Sequence, residues 1–466
     1  MKPRDHTRLL AELEEDYKKH SPKCGELSER ARRYMVDGVS HTLRFLKPFP
    51  PRIVSASGAY VTDADGHRVM DFWQGHFANI LGHNPALVTE ALAGSLRDGF
   101  GLQTGYPDVL QIETAEVFCR QTGSERVRFT TSGSLSTMYA MLLSRAFTGR
   151  DLVMKVGGGW HGGQPWALKG VGYQAAAGVG YDHVESAGLP PAVTKEVVLT
   201  KFNDPEALQA DFRKHGDKLA CFIVEPFIGS GGMTVARTDY LRAARQLTEK
   251  HGALLIFDEV IAGFRFRAGN AGRLFGIQPD LATFGKVMGG GMPVAVVGGR
   301  ADVMELTGGA VRDKVSFSGG TYSAHPSSLL AARTMMNYLV EHEAEIYPKL
   351  ADIGEKVRRT LEDGFAREGI YAYCSGRGND SVPGSSVLFV HFPYQEGSHP
   401  DQPEQMFNPA VCDVVLSDKI LHLAFLLEDI HFLHGHGAAS IAHGEGEIQR
   451  LAEVCRSVAR RVKKHL

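Results

Sequence analysis

Paired cysteines, long apolar runs and an excess of one charge are all missing from this 466-residue chain. Its six cysteines (Cys24, Cys119, Cys221, Cys374, Cys412 and Cys455) are scattered, and no two stand in Cys-x-x-Cys spacing. That excludes a zinc knuckle, argues against a disulfide framework and points to a reducing compartment. No stretch approaches the roughly 18 apolar residues of a membrane helix. The charged start "MKPRDHTRLLAELEEDYKKH" has no apolar core of signal-peptide length, so a cytoplasmic protein is expected. With 51 basic against 53 acidic residues, the formal net charge of -2 gives neither nucleic acid nor an anionic membrane a reason to bind. Repeats and low-complexity tracts are absent too, and the length suits two or three domains with a large core.

What is present is an alternation. Short, nearly continuous apolar runs recur at 127–132, 151–156, 195–202, 221–226, 253–259, 280–286 and 294–299, as expected of strands covered on both faces. Helical patterns intervene, such as "TDYLRAARQLTEKHG" over 238–252, closed by glycine after basic residues. The fold class is therefore α/β, with a mostly parallel sheet between about 60 and 330. We expect three parts: a segment over 1–60 belonging to a smaller domain, a large domain over 61–330, and the small domain proper over 331–466. The proline-bearing stretch 393–410 reads as a long surface loop or lid.

Four strand ends carry unusual residues, and ligands of open α/β sheets sit at strand carboxyl ends. "ALLIFDEV" puts Asp258 directly after an apolar strand, where an unpartnered carboxylate is costly. "TFGKVMGGGMP" puts Lys286 at another strand end, before three glycines that imply backbone lying close to another object. "VRFTTSGSLST" passes from a strand through Ser132, Gly133 and Ser134 into a helix, an arrangement suited to a phosphate. "VGGGWHG" places Trp160 and His161 after glycines at the fourth. One ligand needs all four: a flat, phosphorylated aldehyde. Lysine supplies the amine for a Schiff base, a carboxylate keeps a ring nitrogen protonated, an aromatic stacks on the ring, and a helix amino end holds the phosphate. That cofactor is pyridoxal 5'-phosphate.

With these motifs and "GAYVTDADGHRVMDF", "ILGHNP", "IVEP", "GIQPDLATFGKVMGGGMPVAVVGGR" and "FSGGTYSAHP", the chain resembles the class III, fold-type I aminotransferases from about residue 27 to its end. It is most similar to their glutamate-1-semialdehyde aminomutase and β-amino-acid aminotransferase branch. The resemblance implies a large domain with a seven-stranded, mostly parallel sheet and a smaller α+β domain. It implies that Lys286 forms the Schiff base, Asp258 pairs with the pyridine nitrogen, Val260 packs the ring face opposite Trp160, and Ser132, Gly133 and Ser134 hold the phosphate. It further implies a homodimer in which Thr321 reaches the partner's phosphate. The chain departs from the family pattern at three places. Ser134 and Leu135 replace a threonine and a glutamate, Trp160 replaces a tyrosine, and Ser230 stands where relatives offer an asparagine or glutamine to the ring oxygen.

For the substrate, the resemblance aligns Arg44 with an arginine that grips a carboxylate, and Arg's planar fork suits that group. Trp73, His76 and Phe77 would line the same pocket, and His41 stands where β-amino-acid enzymes place their arginine. The histidine-rich "EDIHFLHGHGAAS" tempts a metal reading, but His431, His434 and His436 lack the carboxylate or thiolate company that a structural zinc usually shows, so no metal is expected. Aminomutase relatives carry a glutamate that falls on Gly435 here. The favoured activity is an aminotransferase with a small-molecule amino donor and a keto or aldehyde acceptor. The alternatives are an aminomutase or racemase on the same cofactor, and a non-catalytic dimer that only binds it.

Overall fold

A computed structural model describes residues 4–174, 180–309 and 314–466. Each of the seven apolar runs forms a strand: β1 Arg126–Thr130, β2 Leu152–Val156, β3 Val197–Thr200, β4 Leu219–Val224, β5 Leu254–Glu259, β6 Leu281–Phe284 and β7 Ala295–Gly299. They join one seven-stranded sheet in the order β1-β7-β6-β5-β4-β2-β3. All neighbours run parallel except β7, which is antiparallel to both β6 and β1.

Side-chain alternation along the strands explains why the runs read as continuously apolar. Cys221 and Ile223, Leu254 and Ile256, and Val297 face one core with the helix Gly133–Thr148. Phe222 and Val224, Leu255 and Phe257, and Val296 face the other, with the helices Thr238–His251 and Pro326–Glu341. Both faces are thus covered, and polar positions within the strands have nowhere to go but the ends. The carboxyl ends of β2, β4, β5 and β6 consequently open on one edge of the sheet, together with that of β1.

A second, smaller sheet and core draw on both ends of the chain. Strands Ile53–Ser57, Tyr60–Asp63 and Arg68–Asp71 form a second sheet completed by Ile430–His431, which pairs parallel with Arg68–Asp71. Its core runs from Leu9 to Phe72 and resumes at Ile353, whereas Met335, Ile346 and Leu350 pack in the large-domain core. Cross-strand pairing thus joins residues 53–71 and 430–431 in one sheet, on either side of the large-domain core. The stretch 393–410 is also more than a surface loop. It contains the short helix Pro403–Met406, and buried Pro403 and Met406 pack on the glycines at 158, 231 and 232. Among the described residues no helix is long and apolar enough to cross a membrane.

Candidate active site

Lys286 follows β6 after one residue, Gly285, and opens the short 3-10 turn Lys286–Gly289. Its φ of +49° is the left-handed region, strained for a residue with a side chain. The object that the glycines approach is protein: a Cβ on Gly290 (φ +59°) would lie 2.9 Å from the Ala331 carbonyl oxygen, inside the helix Pro326–Glu341. That helix clamps the turn and holds the lysine in its strained position. The amine reaches a cavity of about 120 Å³ lined by Gly133, Ser134, Trp160, Asp258 and Val260. Burial lowers its pKa to about 8, against the opposing pull of Asp258 and Glu225.

Asp258 lies one residue before the end of β5 and is buried. Three donors fix its carboxylate. His161 Nδ1–H donates to Oδ2 over 2.8 Å, and the Thr283 hydroxyl and Val260 N–H each donate to Oδ1 over 3.1 Å. Thr283 pairs with Asp258 across the β5–β6 register, so the sheet itself supplies one of the three. Burial holds His161 below the usual histidine pKa despite Asp258. The ring is then neutral, with its proton on Nδ1 and a lone pair on Nε2, which is buried and has no partner in the protein.

Ser132 caps the helix Gly133–Thr148, accepting the Leu135 N–H, while Gly133 and Ser134 line the cavity at the helix amino end. Residue 133 has no room for a side chain, because its Cβ would stand 2.9 Å from Val260 Cγ2. Ser134 Oγ accepts the Gly163 N–H over 3.1 Å and keeps its own proton free to donate. A helix amino end with spare donors, an oriented carboxylate, an orphaned imidazole nitrogen and a lysine whose amine is readily neutral fit a phosphorylated pyridine aldehyde. Trp160 is 37% exposed, so its indole stands at the cavity mouth.

Arg44, Trp73 and His76 line a second, larger cavity of about 450 Å³ with apolar walls that include Leu46, Ile53 and Val69. Arg44 Nε donates to His76 Nε2 over 3.3 Å. Burial, then Arg44, lowers His76 to a pKa of about 3, so the ring is a neutral acceptor. Trp73 meets His76 edge-on with ring centroids 4.4 Å apart, and His41 meets His76 likewise at 5.1 Å. The turn Gln74–Phe77 packs against the Lys286–Gly289 turn, which puts this cavity beside the lysine. Phe77 is buried in the core instead.

Three expected residues stand outside the small cavity. Ser132 acts as the cap behind it. Ser230 is exposed, in a turn whose Gly229 N–H donates to Glu225 Oε2 over 2.9 Å. Thr321 is exposed as well, its carbonyl oxygen accepting from Gln103 Nε2 over 2.8 Å. Conversely, Glu225, His161 and Thr137 line the cavity without having been assigned a role from sequence. Burial, then the Asp258 charge, raises Glu225 to a pKa of about 8. Its signal was available: a carboxylate ending the apolar run "ACFIVE", the same feature that marks Asp258.

The histidine-rich segment does have carboxylate company in space, which corrects the sequence reading. His431 Nδ1 lies 3.0 Å from Asp71 Oδ1 and His434 Nδ1 lies 2.7 Å from Asp418 Oδ1. Each is a separate pair, and these histidines do not converge on a common point among the described residues.

A family model described as aminotransferase class-III matches residues 46–379. A glutamate-1-semialdehyde 2,1-aminomutase of Methanocella arvoryzae is 31% identical over 443 residues, 94% of this chain and 98% of that protein. Among solved structures, a β-phenylalanine aminotransferase from Variovorax paradoxus superposes with a TM-score of 0.84 at 27% identity, covering 97% of both chains. A transaminase with PLP bound gives a TM-score of 0.82 at 28% identity, over 95% of this chain and 98% of that one.

Proposed function

Because the chain belongs to the class III aminotransferase family, whose cofactor is pyridoxal 5'-phosphate, we propose that it moves an amino group from an amino-carboxylate donor to a separate keto or aldehyde acceptor. The two half-reactions alternate in ping-pong fashion. When bound, the cofactor supplies an electron sink for the carbon that loses its proton. The chain's own residues do the rest. Lys286 Nζ provides the amine that anchors the cofactor and, once released, the base that moves the proton, a role suited to a pKa of about 8. Asp258, oriented by His161, Thr283 and Val260, holds the ring-nitrogen proton. Gly133 and Ser134 hold the phosphate at the helix amino end, and Arg44, steadied by His76, takes the substrate carboxylate.

Gly435 carries the choice of an intermolecular reaction. The backbone there has φ +78°, and a Cβ would meet the Phe389 ring at 3.1 Å and the Ser417 carbonyl oxygen at 3.2 Å. A side chain there is strained by the positive φ and needs both neighbours to give by a few tenths of an ångström, and this chain carries no carboxylate at the position that the resemblance aligns with the aminomutase glutamate. His436, beside it, is pushed by burial to a pKa of about 4 and stays neutral. The second reading, an aminomutase, is favoured by the names of several relatives at 31% to 37% identity. Supplying glutamate-1-semialdehyde alone separates the two, since only an aminomutase converts it to 5-aminolevulinate without a second substrate.

The active unit in this proposal is a homodimer. Thr321 and the neighbouring Tyr322 are exposed, and so are Leu102, Tyr106, Val109 and Ile112, with Gln103 joined to Thr321. Exposed apolar side chains gathered beside one site residue suit a surface covered by a second copy. Mixing inactive Lys286→Ala chains with inactive Thr321→Ala chains should restore activity through hybrids that own one complete site. No recovery after verified subunit exchange would count against sharing.

A further inference from the structure

Three residues far apart in sequence meet on the small domain, outside the lining of both cavities. His20 ends the helix Thr7–His20, His67 lies in the turn before the strand Arg68–Asp71, and Asp429 precedes the strand Ile430–His431. One ligand atom from each lies within 4.8 Å of the other two. The two imidazoles are anchored through Nδ1. That of His20 bonds to Ser21 Oγ at 2.9 Å, and that of His67 to Asp63 Oδ2 at 3.0 Å. Both Nε2 atoms are left over. His20 Nε2 stands 3.7 Å from Asp429 Oδ1, beyond hydrogen-bond reach, and that oxygen is buried with no partner. The imidazoles stack with centroids 3.9 Å apart. With both ring protons placed on Nδ1, where the Ser21 hydroxyl and the Asp63 carboxylate can accept them, three lone-pair-bearing atoms face one another with no donor between them.

We propose that His20, His67 and Asp429 bind one divalent transition-metal ion, with zinc the best match. Two imidazoles and one carboxylate are a donor set of the right softness, and a water completes four-coordination. The Asp63–His67 contact is the outer-shell carboxylate that fixes the tautomer of a metal-bound histidine. Zinc bonds of about 2.0–2.2 Å require the donors to draw together and the stacked rings to swing apart about their side-chain torsions. His20, partly exposed at a helix end, has room for that movement. The neighbouring group Cys24, Asp63 and Asp65 is a poorer candidate. Asp65 already accepts the Lys23 and Cys24 N–H groups, and Asp63 accepts from Asp65 and His67. A bound ion would tie the amino-terminal helix to the edge strand Ile430–His431 and to its neighbour Arg68–Asp71, which stabilises the segment leading to Arg44.

The test is zinc titration of tag-free, cofactor-loaded protein after chelator treatment, followed by calorimetry and by the melting temperature. One ion per chain with a Kd of about 10 μM or tighter is expected, with a raised melting temperature. His67→Ala and Asp429→Asn should each weaken binding by at least about tenfold. Each should melt near wild type without zinc, and Cys24→Ser should bind zinc as wild type does. Absence of binding in this range overturns the proposal, and so does stoichiometric binding that survives both variants. If one variant folds poorly, His20→Ala gives the same reading from the opposite ligand.

Discussion

His161 Nδ1 stands 2.8 Å from Asp258 Oδ2, and both side chains are buried at the floor of the lysine cavity. The contact makes His161 a positioning residue, acting on the cofactor through the carboxylate. His161→Ala should leave Asp258 misoriented and weaken cofactor retention about ten- to hundredfold, the range for one hydrogen bond to a charged group. His161→Gln, which keeps a donor, should recover part of that loss. Equilibrium dialysis of the cofactor reads both. Equal losses in the two variants would reduce the contact to packing.

Lys286 is expected to be neutral above a pH of about 8, because burial depresses its pKa from the ordinary lysine range. The rate at which cofactor-free protein captures pyridoxal phosphate should therefore rise with pH and level off above about 8, while a free alkylamine control keeps rising. Asp258 opposes the depression, so Asp258→Asn should move the midpoint to lower pH. The same substitution should cut turnover on the order of a hundredfold or more, as loss of electrostatic support typically does. The linked stability has a definite sign. A lowered lysine pKa means the unfolded chain binds more protons between about 8 and the ordinary lysine value of 10.5, so this group's contribution to stability of the cofactor-free form rises across that window. A capture midpoint near 10 would contradict this account.

Arg44→Ala should raise KM for carboxylated donors about tenfold or more while sparing simple amines, if charge-assisted hydrogen bonds to the carboxylate are what it supplies. His76→Phe removes the acceptor that steadies Arg44 Nε at 3.3 Å and should produce a smaller effect of the same pattern. Steady-state kinetics with a matched acid and amine decides. A uniform loss on both substrates would assign Arg44 to ordering the amino-terminal segment.

Gly435→Glu is expected to destabilise the fold by about 1–3 kcal/mol, since a side chain is placed at φ +78° against Phe389 and Ser417. Denaturant unfolding measures it. A neutral substitution accompanied by new aminomutase activity would show that the backbone adapts to the relatives' glutamate.

The seven strands, and the placing of Asp258 and Lys286 at one cavity, were legible because burial on both sheet faces leaves charged residues no place but a strand end. Asp258 and Lys286 stand out against "ALLIF" and "DLATF" for that reason. Glu225 obeys the same rule and was overlooked only because no role was asked of it. The pairing of Ile430–His431 with Arg68–Asp71 was not legible, since it reaches across most of the chain and local pattern carries no trace of it. Nor was the packing of Gly290 on Ala331: triple glycine announces a close approach without naming the partner.

The central claim is tested most directly by single-turnover absorbance of the holoenzyme. Amino donors that carry a carboxylate are mixed with it first, and a keto or aldehyde acceptor is added afterwards. The account predicts that the donor converts the cofactor fully to its amine form with release of the deaminated product, that the separate acceptor restores the aldehyde form, and that Lys286→Ala does neither. Efficient conversion of glutamate-1-semialdehyde to 5-aminolevulinate with no second substrate, while the cofactor returns to its starting form, would contradict it.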